Sequence, residues 1–95
     1  MNFEWDERKN EINLAKHGFD FNDASRVFDF PMVIELDERE AYGEDRWIGI
    51  GLLDGRIVVV IYTEPIEEKI RIISLRKALS HERKEYEQYI KNRLV

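Results

Sequence analysis

A chain of 95 residues, 43% apolar and 12% aromatic, has the size and composition of one globular domain with a single modest core. It has no cysteine, which excludes disulfides and thiolate metal centres, and its two histidines, His17 and His81, lie far apart, so no metal site is expected. The net charge of −5 argues against a surface coated for non-specific nucleic-acid binding, and no apolar run approaches the ~20 residues of a membrane helix.

Met1-Asn2-Phe3-Glu4-Trp5 lacks the basic and apolar regions of a signal peptide, so a cytoplasmic protein without membrane contact is expected. Phe3-Glu4-Trp5 reads as a short edge strand or a cap. Asp6 then offers an N-cap for a helix over Glu7–His17, and Gly18 supplies its left-handed end. The apolar positions of that helix are sparse, and Ile12, Leu14 and Ala15 are expected to form a thin buried stripe. A second helix is expected after Asp20, with Phe21, Ala24, Val27 and Phe28 as its core face and Asp29-Phe30-Pro31 as its end. Val33–Leu36 reads as a strand. The stretch Asp37–Asp45, with five acidic residues and Gly43, reads as a solvated, mobile loop.

Arg46–Leu53 and Arg56–Thr63 flank Asp54-Gly55, a strong type I′ hairpin signal. Both faces of the second of these strands are apolar, which makes it central in the sheet. Pro65–Lys69 is expected to turn the chain into a strand over Ile70–Leu75. Ser80 is expected to cap a last helix that docks through Tyr86, Tyr89, Ile90 and Leu94. The class is α+β: two N-terminal helices, an antiparallel sheet of three to four strands, and a C-terminal helix, all in one domain, 1–95.

Charge is polarised along the chain. Residues 1–70 carry 17 acidic and 8 basic side chains, whereas residues 71–95 carry 3 and 7. This fits a local phosphate-binding patch on an acidic body, or an acidic surface that recruits a basic partner. Strict alternation puts Ile70, Ile72 and Ser74 on one face of a strand and Arg71, Ile73 and Leu75 on the other. A guanidinium held on a rigid strand suits bidentate grip of a phosphate; pairing with a neighbouring carboxylate is the plainer alternative.

His17 ends the first helix, where the partial negative charge favours imidazolium and makes it a candidate proton donor; capping the last carbonyls is the alternative. Metal-free RNA cleavage needs a base for the 2′-hydroxyl, an acid for the 5′-oxygen, and cations on the phosphorane. His17, Glu44, Arg46, Arg71 and Arg76 supply those chemical types, provided that folding gathers them in one accessible pocket. Glu82 and Tyr86 share one face of the last helix, from which Glu82 can orient a strand arginine.

Several segments resemble the BrnT family of toxins. They are Phe3-Glu4-Trp5-Asp6, Asn13, Lys16-His17-Gly18, Phe21, Ala24, Val27-Phe28, Gly43-Glu44 with Arg46, Tyr62-Thr63-Glu64, Ile70-Arg71-Ile72-Ile73-Ser74, Arg76-Lys77-Ala78, Glu82-Arg83 and Tyr86. The resemblance implies a RelE-like fold and a type II toxin–antitoxin system. It also implies a metal-independent ribonuclease, with no cofactor, that inhibits translation. The implied partner is a BrnA-type ribbon-helix-helix antitoxin, through which alone operator DNA would be bound. His17, Glu44, Arg46, Arg71 and Arg76 become the candidate catalytic residues, Lys16, Lys77 and Arg83 the candidate RNA contacts, and Glu82 and Tyr86 their supports. At two positions the chain departs from the family pattern. Pro65 stands where the family has an arginine, and Leu75, replacing a smaller residue, is expected to crowd the site. A catalytically weakened homologue that serves as an antitoxin-binding module is therefore the alternative.

Overall fold

The computed structural model describes residues 1–94. In chain order the elements are β1 (Asn2–Glu4), α1 (Glu7–His17), a 3₁₀ helix (Phe21–Asp29), β2 (Val33–Leu36), β3 (Trp47–Leu53), β4 (Arg56–Ile66), β5 (Lys69–Lys77) and α2 (Ser80–Arg93). The class is α+β, as expected, but the sheet has five strands and is mixed. Its order is β1-β5-β4-β3-β2, and β1 runs parallel to β5. Phe3-Glu4 thus belongs to the sheet, with Phe3 beside Ile70 and Glu4 beside Arg71.

Asp6 caps α1, its carboxylate accepting from the N–H groups of Arg8 and Lys9, and Gly18 ends the helix at φ 76°. The expected apolar stripe is wrong. Ile12 and Leu14 are exposed, and the buried residues of α1 are Asn10 and Asn13. Asn13 Nδ2 donates to the carbonyls of Phe19 (3.0 Å) and Leu75 (2.8 Å), and Asn10 Oδ1 accepts from the Phe21 N–H (2.8 Å). Polar side chains dock this helix because they complete hydrogen bonds that backbone groups beneath it would otherwise lack.

The second helix is 3₁₀ rather than α. Phe21, Ala24 and Val27, all buried, recur every third residue, which suits three residues per turn. Asp54 (φ 51°) and Gly55 (φ 77°) form the expected hairpin turn with both residues left-handed. β4 runs further than expected, to Ile66. Pro65 lies in it at a bulge, where Glu64 and Pro65 together face Ile70 and no ladder N–H is needed. Leu79, not Ser80, is the N-cap of α2, and the Glu82 carboxylate reaches back to its N–H (2.8 Å). On α2, Tyr86 is buried, but Leu94 is 84% exposed and does not dock.

The sheet carries a core on each face. Val58, Val60, Tyr62, Ile70, Ile72 and Leu75 pack with the 3₁₀ helix on one side. Val59, Ile61 and Ile50 pack with Ala78 and Tyr86 on the other, beneath α2. β4 is central, as its two apolar faces predict.

Candidate functional site

A bulge in β5 decides where the arginines point. Ser74 pairs with Ile61, but Ile72 pairs with Tyr62, so Ile73 is an extra residue. With strict alternation, Arg71 and Arg76, five residues apart, would face opposite sides. The extra residue resets the phase. Arg71 lies beside Thr63 and Arg76 beside Val59, and both project from the α2 side with Ser74 between them. Leu75, expected on the same face as Arg71, instead falls on the other side, fully buried beside Val60. It therefore does not crowd the arginines.

The row through Arg71 crosses the sheet. Glu4 on β1 neighbours Arg71 on β5, which neighbours Thr63 on β4. Trp47 pairs with Tyr62, so the next residue outward, Arg46, continues the row beside Thr63. At ~5 Å per strand, Arg46 and Arg71 stand about 10 Å apart, with Arg76 roughly 15 Å further along the sheet.

Each arginine meets a carboxylate. Arg71 Nε donates to Glu4 Oε2 (2.7 Å), and Lys69 adds a second contact to Glu4 (3.3 Å). Arg71, then Lys69, hold the Glu4 pKa below its usual range. Arg76 grips Glu82 with both terminal nitrogens, at 2.8 and 2.9 Å. That contact depresses the Glu82 pKa despite burial, and the Leu79 N–H assists. Arg46 stacks on the Tyr42 ring, 4.0 Å from its centroid, with Glu44 4.0 Å from its Nε. Arg46 Nε and Thr63 Oγ1 are buried atoms with no hydrogen-bond partner among the described residues.

His17 lies at the edge of this face. With Lys9, Ile12, Asn13 and Lys16 from α1 and Ile73 and Ser74 from β5, it lines a cleft of about 210 Å³. Its pKa is lowered, first by burial and then by the charges of Lys16 and Arg76. Burial and these two charges act against the helix terminus, which favours the imidazolium.

The candidates do not meet in one pocket, as the sequence reading required. Arg46 and Glu44 lie at one end of the face and Arg76 and Glu82 at the other, with His17, Lys16 and Ser74 along the β5 edge between them. Lys77, beside Val58, occupies the opposite face from Arg76. Arg83 is exposed on α2. Tyr86 turns its hydroxyl to the Pro31 carbonyl (2.9 Å), so it supports α2 rather than any arginine. Glu82 does orient Arg76, as its helical position suggested.

The acidic loop is tethered rather than free. Asp37 is buried, and its carboxylate takes Arg39 at 2.8 and 2.7 Å and the Tyr42 hydroxyl at 3.3 Å. Sequence reasoning passed over Thr63 and Lys9. The position of Thr63 on a two-faced apolar strand hid its hydroxyl, whereas the seven-residue spacing of Lys9 and Lys16 was a usable signal.

Comparisons with known proteins agree with this architecture. Residues 5–82 match the family model described as the ribonuclease toxin BrnT of type II toxin–antitoxin systems. The chain is also similar to the Brucella abortus ribonuclease toxin BrnT in its crystal structure. The identity is 34% and the TM-score 0.65, over 84% of this chain and 99% of that one. Among curated proteins, none matches. A family match over most of the chain, joined to a shared fold, shows that the chain belongs to the BrnT family of ribonuclease toxins of type II toxin–antitoxin systems.

Proposed function

We propose that this chain is a metal-independent endoribonuclease that inhibits translation in the cytoplasm and is neutralised by a BrnA-type antitoxin. The placement of Arg46, Arg71 and Arg76 on one sheet face, with His17 at its edge, carries the reading. In the reaction, the 2′-oxygen attacks phosphorus while the His17 imidazole accepts its proton, and the P–O5′ bond breaks as the 5′-oxygen takes a proton from solvent water, to give a 2′,3′-cyclic phosphate and a 5′-hydroxyl. Arg76, whose charge reaches the His17 ring, is the cation for the charge that builds on the phosphorane, and Arg71, roughly 15 Å along the sheet, is placed to hold a neighbouring phosphate. Glu82 is tied to Arg76 in its ionised form and is poorly suited as the acid. Operator DNA would be reached only through the antitoxin, and the acidic segment Glu35–Asp45 fits steering of a basic antitoxin region.

Purified protein added to a cell-free translation extract tests the reading. Translation should stop, recover when the antitoxin is added, and continue with folded Arg71→Ala or Arg76→Ala, and cleavage of purified RNA by the protein should persist with EDTA present. Full inhibition by both variants would remove the arginines from the site.

One observation favours a second reading. Glu4, Glu44 and Glu82 stand against Arg71, Arg46 and Arg76, so a family member that only binds its antitoxin would present this same face. Tight complex formation with no RNA cleavage by the free protein would select it. Pro65 in place of a basic residue points the same way.

A further inference from the structure

The arginine face is answered by carboxylates, but the cleft beside it is not. Lys9 and Lys16 are exposed, and neither makes an ion pair among the described residues. Seven residues apart, they lie on one side of α1, about 10 Å apart along its axis. Ile12, 58% exposed, stands between them, and Ile73 and Ser74 form the opposite wall. Uncompensated cations flanking apolar side chains, with an imidazole alongside, match the chemistry of a nucleotide better than that of a carboxylate-rich peptide. A peptide would use the charge but not the apolar floor.

We propose that the α1–β5 cleft seats single-stranded RNA, with Lys9 and Lys16 on neighbouring phosphates, a base against Ile12 and Ile73, and the ribose beside His17 and Ser74. The choice of RNA rests on the nuclease reading. The cleft, rather than the paired arginines, makes first contact with substrate, and Lys9 is a binding residue alongside Lys16.

The probe is a 2′-O-methyl oligoribonucleotide, which cannot be cleaved, titrated by fluorescence polarisation across a salt series. Parent protein, Lys9→Gln, Lys16→Gln and the double variant are compared. The lysines are exposed, so the variants should melt like the parent. For single strands the salt slope is about −0.7 per neutralised phosphate, so the double variant should lose about 1.4 from its slope and bind at least tenfold more weakly. Unchanged affinity and slope would overturn the proposal. So would absence of binding by the parent, or equally tight lysine-dependent binding of an oligoglutamate peptide. Cleavage of the all-ribose oligonucleotide is read in parallel. Lysine-dependent binding without cleavage by the parent would end the nuclease reading and keep the cleft. Cleavage with lysine-independent binding would do the reverse.

Discussion

The carboxamide of Asn13 takes the place of a strand against Leu75. Its Nδ2 donates to the Leu75 carbonyl at 2.8 Å, and its Oδ1 accepts from the Leu75 N–H at 3.2 Å. β1 pairs only with Lys69–Arg71, so beyond it one side chain completes this part of the β5 edge. The same contact sets the end of α1, and with it His17, beside Ser74. Asn13→Ala would leave both backbone groups of Leu75 and the Phe19 carbonyl short of partners. A loss of about 2–3 kcal/mol in a urea melt is expected. A melt indistinguishable from the parent's would show that α1 is not held this way.

How much of this was legible in the sequence follows from the kind of signal each residue gives. Asp6, Gly18 and Asp54-Gly55 act locally, through caps and left-handed turns, and the structure has each where local rules place it. The two apolar faces of Val58–Tyr62 likewise announced a central strand. Asn13 could not be read that way, since hydropathy patterns count asparagine as solvent-facing and Leu75 is distant in sequence. The bulge at Ile73 was hidden for a related reason. Ile72-Ile73 continues an apolar run, and nothing local says which isoleucine is the extra one. That single residue moved Leu75 out of the site and brought Arg76 onto the face of Arg71. The parallel pairing of β1 was also invisible, because three residues of edge strand carry almost no periodicity. The grouping of His17 with Ser74 follows from Asn13 and was unreadable with it.

Thr63 offers a test of how the arginine row is arranged. Its hydroxyl is buried beside Arg71 with no partner among the described residues, so removing it should not weaken the fold. Thr63→Val keeps the shape and the β-branch, and should leave stability unchanged or raise it by up to ~1 kcal/mol. A loss greater than that in thermal melts would mean that the hydroxyl has a partner.

Asp37 should govern the acid response of the loop carrying Tyr42. Hydrogen bonds from Arg39 dominate over burial and pull its pKa down to about 2. A carboxylate with a lower pKa in the folded state stabilises the fold above its unfolded pKa, here 3.8, and that contribution disappears as pH falls towards 2. Arg39 is largely exposed, so a discounted figure of about 1–2 kcal/mol is appropriate at neutral pH. Asp37→Asn should lose that amount at pH 7 and approach the parent near pH 2. A constant gap between the two across the acid range would remove ionisation as the cause.

His17 is accessible to direct titration, since His81 is the only other histidine and His81→Asn leaves a single imidazole to follow by NMR. Burial is the largest influence on the ring, followed by Lys16 and Arg76, and all three disfavour the charged form. The midpoint should therefore fall below 6.5. Lys16→Gln and Arg76→Gln should each raise it, but neither should restore 6.5 while burial persists. A midpoint at or above 6.5 in the parent would mean that the helix terminus governs the ring after all. Because the fold favours the neutral form, unfolding takes up a proton in this range, and stability should decline as pH falls from 6.5 through the folded midpoint. If His17 is the base, cleavage must be lost over the same interval, and Lys16→Gln, measured at saturating RNA, must carry the acid limb of the pH profile upward with the NMR midpoint. An acid limb that stays in place while the midpoint moves would assign the proton transfer to another group.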